Sequence, residues 1–318
     1  MTHALQRYCH SPSPVDRISP GALTSDLRLH IKDSSLATPS ESSLASWLLN
    51  GVIADTIKGM RKNSLKDRIV FITGASAGIG AACAEAFAGE GARLLLAARR
   101  VDRLASMEPA LHAAGAAAVH CFSLDVQDRT AVERVLAALP VNWQEIDVLV
   151  NNAGLSRGLD KVWEGKPEDW EEMIDTNVKG LLWVTRAVVS GMVARGRGHI
   201  INLGSTAGEL AYPGGAVYCG TKAAVKLIND GLRQDLMGTA VRVTSVDPGM
   251  VETEFSEVRF RGDRERAAKV YANITPLTPD DVADAILWAA TRPAHVNIAH
   301  VLMTTIDQAN SIMFNRKA

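Results

Sequence analysis

Cysteine is scarce in this chain of 318 residues, and the four present, Cys9, Cys83, Cys121 and Cys219, are scattered without a C-x-x-C pair. That spacing argues against both a disulfide framework and a zinc site, and it points to a reducing compartment. Net charge is also nearly absent, at −1, so there is no general pull toward nucleic acid or an anionic membrane. No apolar run approaches the ~18 residues that a membrane span needs. The first residues lack the apolar core of a secretory signal. A soluble, cytoplasmic protein without a metal is expected, long enough to bury a sizeable core.

Residues 1 to 62 have their own texture, rich in Ser and Pro as in Ser11-Pro12-Ser13-Pro14. Residues 1 to 42 read as mostly disordered. Leu44, Trp47, Leu48, Ile53, Ile57 and Met60 recur at spacings of three to five, which predicts a short amphipathic helix over 44–60. Arg7, Arg17 and Arg28 among serines leave organelle targeting open, although Asp16, Asp26, Asp33 and Glu41 bring more acid than transit peptides usually carry. Translation starting at Met60 would still give a complete domain.

From residue 63 to 318 the pattern becomes short β-branched runs alternating with helical stretches, which predicts one α/β domain. Strands are expected at Ile69 to Thr73, Arg93 to Ala98, Val119 to Leu124, Ile146 to Asn151, His199 to Leu203, Val241 to Val246 and Ala299 to Met303. Helices are expected over Gly78 to Gly89, Val101 to Ala114, Trp170 to Arg195 and Val217 to Met237. Together they make a doubly wound, seven-stranded parallel sheet of Rossmann type with helices on both faces, and ligands bind beyond the strand C-termini.

The first strand runs into Thr73-Gly74-Ala75-Ser76-Ala77-Gly78-Ile79-Gly80 directly before a helix. Glycines there let the backbone turn tightly and approach a pyrophosphate, which the helix N-terminus attracts. The second strand ends in Ala97-Ala98-Arg99-Arg100. An NAD site usually has a carboxylate at this point for the ribose 2′-hydroxyl. Two guanidiniums suit a 2′-phosphate instead, so NADP(H) is expected.

Tyr218 and Lys222 lie four apart at the start of a helical segment, a spacing that puts both on one helical face. A neighbouring cation favours the phenolate, which makes the pair a tunable acid/base. Alone, Y-x-x-x-K is an ordinary helix-surface pair. His112, His120, His199, His295 and His300 have no spacing that resembles a metal site. Cys219 reads as a small packing residue.

With these residues in view, the chain resembles the short-chain dehydrogenase/reductase family over about residues 66 to 306. The resemblance rests on Thr73 to Gly80, Asn151-Asn152-Ala153-Gly154, Asn177 in Thr176-Asn177-Val178-Lys179-Gly180, Ser205, Tyr218 with Lys222, and Pro248-Gly249 with Thr253. Stretches around Gly204 to Tyr218, Val251 to Phe260 and Pro293 to Ile298 are similar to its NADP-dependent 3-hydroxy acid dehydrogenases, which act on serine and allo-threonine. The resemblance implies Tyr218 as general acid/base, Lys222 as the cation that lowers its pKa and holds the nicotinamide ribose, and Ser205 as a donor to the substrate oxygen. It implies that Asn177 holds a water in a proton relay. Gly74, Ser76, Gly78, Ile79, Gly80, Arg99, Arg100, Ala153 and Gly154 would bind cofactor, with Asp125 and Asn151 bordering the adenine and its ribose. Pro248, Gly249 and Thr253 would wall the nicotinamide. A homodimer or homotetramer is implied as well.

Glu252 to Arg266 follows, with Arg259, Arg261, Arg264 and Arg266 crowded near Gly262. The stretch is expected to close over substrate, and Arg259 is the candidate anchor for a substrate carboxylate. Interleaved acids would instead make it a solvated charged loop. A broad carbonyl reductase and a non-catalytic NADP-binding scaffold are the competing functions. The first predicts indifference to a carboxylate, and the second predicts loss of Tyr218 or Lys222.

Overall fold

A computed structural model describes residues 65–317. The extension and its predicted helix at 44–60 lie outside the described residues. Seven strands form one parallel sheet: β1 (Ile69–Thr73), β2 (Arg93–Ala98), β3 (Ala118–Ser123), β4 (Ile146–Asn151), β5 (Gly198–Leu203), β6 (Val241–Pro248) and β7 (His300–Met303). Their order is β3-β2-β1-β4-β5-β6-β7. The chain works outward from β1 and then returns to place β4 on its other side. That reversal opens a crevice beyond the C-terminal ends of β1 and β4, where doubly wound sheets bind ligands.

Helices cover the two faces in turn: α1 (Gly78–Gly89), α2 (Val101–Ala114), α3 (Arg129–Ala137), α4 (Pro167–Ile174), α5 (Leu181–Arg195), α6 (Ala216–Asp235), α7 (Phe255–Arg259), α8 (Arg264–Val270) and α9 (Pro279–Ala290). Strand alternation divides the core between them. Val70, Ile72, Leu94 and Leu96 pack with Phe87 of α1, Leu104 of α2 and Ile286 of α9. Ile69, Phe71, Leu95 and Leu149 point the other way, onto Val132 of α3 and Val184 and Met192 of α5. Each fully buried side chain of this size contributes about 1.5–3 kcal/mol.

The expected strands all form, with ends moved by one or two residues. One expectation is corrected here. The helix predicted from Trp170 to Arg195 is broken by a π-helical turn at Asp175–Gly180, because the Asn177 side chain turns aside to bond a neighbouring loop. The predicted covering stretch at 252–266 is built from α7 and α8. Among the described residues no helix is long and apolar enough to cross a membrane.

Candidate active site

The glycine loop between β1 and α1 owes its shape to missing side chains. Gly74 and Gly78 have φ of 65° and 53°, in the left-handed region that favours glycine. A Cβ on Gly80 would overlap the Gly74 carbonyl oxygen. Thr73 Oγ1 accepts from the N–H groups of Asn152 and Ala153, both at 3.1 Å. Asn152 Nδ2 returns the link by donating to the Thr73 and Gly74 carbonyls at 2.9 and 3.1 Å. Asn152 thus fixes the loop from β4. Ala77 caps α1 without a side-chain acceptor, so the first N–H groups of the helix are left for an anion.

This loop forms one wall of a crevice of about 360 Å³. Gly74, Ser76, Gly78 and Ile79 line it from the loop, Arg99 and Arg100 from the end of β2, and Asp125 from the end of β3. Ala153 and Gly154 lie on its floor, with Ser205, Tyr218 and Lys222 at the far end under Pro248, Gly249 and Thr253. Gly80 packs beneath the loop. Asn151 does not reach the crevice: it is buried, donating to Thr185 Oγ1 and Asn202 Oδ1 at 2.9 Å. Its expected place beside the adenine is thereby corrected. A glycine cradle at one end and two cationic side chains at the edge fit a phosphorylated dinucleotide.

Ser76 accepts from Arg100 Nε at 3.4 Å, and Arg100 Nη1 donates to Glu254 at 2.8 Å. Arg103, three residues on, donates to the other oxygen of the same carboxylate at 2.6 Å. These arginines hold the Glu254 carboxyl below its usual range. Glu254 ties the start of α7 across the crevice mouth, a link without a local sequence signal.

Tyr218 and Lys222 project from the first turns of α6, both buried. Burial raises the Tyr218 phenol well above its ordinary pKa, and Tyr212 adds to the rise, while Arg259 and a hydrogen bond from Ser205 oppose it. Lys222 was expected to do the lowering. Its Nζ instead donates to the Leu203 carbonyl at 2.8 Å and stands 6.0 Å from the Tyr218 ring centroid. Burial pushes the ammonium down to about 8, with Asp247 pulling it up.

Asn177 is 2 % exposed and bonded through both atoms of its amide. Its Oδ1 accepts from Leu155 N–H at 2.9 Å, and its Nδ2 donates to the Leu155 carbonyl at 2.8 Å and to Thr221 Oγ1 at 3.0 Å. A Cβ on Gly154 would meet Asn177 Oδ1 at 3.2 Å and Lys222 Nζ at 3.7 Å. Glycine there keeps the two polar groups adjacent.

Arg259, on the last turn of α7, lies with its guanidinium carbon 5.5 Å from the Tyr218 ring centroid and 5.0 Å from that of Phe255. Its Nη2 donates to the Tyr212 hydroxyl at 3.2 Å. Its Nε is buried without a hydrogen-bond partner among the described residues. Neither Tyr212 nor Phe255 stood out in the sequence, because their contribution depends on α7 folding back over α6.

Fold and site together define a class, and comparison with known proteins agrees: the chain belongs to the short-chain dehydrogenase family of oxidoreductases, whose description "short chain dehydrogenase" matches residues 68–263. An NADP-dependent 3-hydroxy acid dehydrogenase of Salmonella typhi is 52% identical over 242 residues, covering 76% of this chain and 96% of that protein. Its counterpart in Schizosaccharomyces pombe is 42% identical over 254 residues, covering 80% of this chain and 98% of that one. Among solved structures, the closed form of a serine dehydrogenase complexed with NADP+ superposes with a TM-score of 0.73 at 47% identity, over 79% of this chain and all 100% of that one. Serine dehydrogenase from Escherichia coli gives 0.66 at 44%, over 76% and 99%.

Proposed function

We propose that this chain is an NADP(H)-dependent dehydrogenase that oxidises the 3-hydroxyl of small hydroxy acids and amino acids, serine and allo-threonine among them, to the 3-oxo acid. Arg259 carries the substrate class. It is a cation against the ring of Tyr218, with a buried Nε that has no partner among the described residues. A guanidinium takes a carboxylate bidentately, so a small acid held there presents its hydroxyl toward Tyr218. The names of the Salmonella and fission-yeast relatives and of the serine dehydrogenase neighbours point to the same substrates.

Bound NADP+ supplies the hydride acceptor for the substrate carbon. The chain's residues do the rest. Gly74, Ser76, Gly78 and Ile79 would hold the pyrophosphate, with Gly80 keeping the turn tight. Arg99 and Arg100 would take the 2′-phosphate, and Asp125 the adenosine end. Ala153, Gly154, Pro248, Gly249 and Thr253 would enclose the nicotinamide end. Tyr218 removes the hydroxyl proton, and its phenolate must be stabilised against the cost of burial. Arg259 and Ser205 are placed to do that, and Ser205 also orients the reacting oxygen. Lys222 holds the ribose and stands with Asn177 on the path by which the proton leaves. The enzyme works as a homodimer or homotetramer.

The test is NADP+ reduction, followed by NADPH absorbance, with serine, allo-threonine, 3-hydroxyisobutyrate and 3-hydroxypropionate, the methyl ester of each, and simple secondary alcohols. NAD+ is run in parallel. Free acids are expected to be the better substrates, and NADP+ the better acceptor. Arg259→Ala is expected to lower kcat/KM about tenfold or more for acids, since hydrogen bonds to charged groups are worth ~1.5–3 kcal/mol, and to affect the esters much less. Equal turnover of acid and ester, or an equal loss on both, overturns the carboxylate reading. Activity on neutral alcohols alone makes the protein a general carbonyl reductase.

A further inference from the structure

Behind the catalytic face lies a buried carboxylate with no part in the reading above. Asp247, on β6, is 1 % exposed. Its Oδ1 accepts from the backbone N–H of Ser205 at 3.0 Å, and its Oδ2 accepts from Ser245 Oγ at 2.7 Å and meets His300 Nε2 at 2.7 Å. A Cβ on Gly204 would overlap Asp247 Oδ1. The carboxylate therefore occupies the seat that a side chain at 204 would fill. The residues flanking Gly204 are both committed: Leu203 offers its carbonyl to Lys222, and Ser205 its N–H to Asp247.

We propose that Asp247 is a positioning residue for the reaction, fixing Ser205 through its backbone N–H and balancing the buried Lys222 ammonium with a negative charge. This rests on the roles proposed for Tyr218, Ser205 and Lys222. A charge so enclosed needs partners, and those facing it come from every neighbouring element. Ser245 and His300 approach from β6 and β7, Ser205 N–H from the loop after β5, and the Lys222 charge from α6. Glu209 stands 3.8 Å from His300 and is itself paired with Lys226, so it does not displace Asp247. Burial raises the Asp247 carboxyl, while Ser245, His300, Ser205 and Lys222 each oppose the rise. Asp247 also opposes the fall that burial imposes on Lys222. Without it the lysine gives up its proton at lower pH, and Ser205, released from its N–H anchor, holds less firmly the hydrogen bond that opposes the rise of the Tyr218 phenol.

Asp247→Asn keeps the shape and removes the charge. Asp247→Ser removes the charge and also the acceptor for the Ser205 N–H, and thermal melting with NADPH fluorescence certifies either variant. The readout is kcat/KM for oxidation against pH, whose acid limb reports the free enzyme's base. That limb is expected to move upward by about one unit in Asp247→Ser, the order of effect of one weakened hydrogen bond to the phenolate, with kcat down about tenfold. A profile superimposable on wild type overturns the proposal. So does a lower rate with the limb unmoved, which is what a merely structural disturbance gives. Tyr218→Phe is measured beside them: if it stays active the catalytic reading itself fails, whereas if it is dead and both Asp247 variants behave as wild type, only the role of Asp247 fails.

Discussion

Lys222 is a cation held away from water, and that has a consequence for stability as well as for chemistry. Burial brings its pKa from the ordinary 10.5 to about 8. Between those values the unfolded chain binds more protons than the folded one, so this residue makes the protein more stable as pH rises from about 8 to about 10.5. Below about 8 the full cost of burying the charge is present, roughly 3 kcal/mol at 1.36 kcal/mol per unit. Lys222→Met is expected to remove that pH dependence. Thermal melts across this range, wild type against variant, should converge toward the alkaline end, and a constant difference would show that the burial cost is not protonic. At this scale the residue types of the site were legible in the sequence, but their directions were not. Consecutive strand residues point to opposite sides, so which of Asn151 and Asn152 faced the cofactor was a question of parity. Asn152 faces the loop, and Asn151 bonds Thr185 and Asn202. Lys222 reached for a backbone carbonyl that no spacing rule marks.

At the scale of elements, α7 is anchored at both ends by contacts remote in sequence. Its start is held by Glu254 between Arg100 and Arg103. Its last turn is held by Arg157, which donates to the Val258 carbonyl, and by Gly158 N–H, which donates to the Arg259 carbonyl at 3.0 Å. Arg157 is fixed in turn by two 2.7 Å bonds to Glu172 of α4, the bidentate geometry that makes such pairs strong. Arg157 keeps the Glu172 carboxyl below its usual range, so the pair is intact at neutral pH and is lost only as pH falls through the lowered pKa. Glu172→Gln is expected to loosen the last turn of α7 and with it the aim of Arg259. KM for free acids should rise about tenfold, ~1.4 kcal/mol, while NADPH affinity stays within about twofold, because α7 keeps its Glu254 anchor. A larger loss of NADPH affinity than of acid affinity would contradict this division. The sequence showed strands and the helices between them because β-branched runs and helical periodicity are local. It missed the break at Asp175–Gly180, since Asn177 bonds a loop 22 residues away, and it showed the charges of the covering segment without their partners.

At the scale of the molecule, the seven-stranded parallel sheet and ligand binding beyond its strand C-termini were legible, because right-handed crossovers leave little choice once the strands are placed, whereas the strand order came from the structure. The family match begins at residue 68 and β1 at Ile69, just beyond Leu65, which is 8 % exposed. We expect residues 63–318 to be the folding unit. A chain beginning at Met60 should melt within about 2 °C of the full chain, a difference under ~1 kcal/mol for a domain of this size. It should also sediment as the same species as the full chain and keep its kcat/KM on free acids. The exposed apolar residues Leu302 of β7 and Ile312 and Met313 beyond it, at 52%, 50% and 59% exposure, offer apolar area that subunit contact would remove from water. A lower melting temperature for the shorter chain would put the extension against the folded body. An unchanged melt with a smaller sedimenting species would place it between subunits.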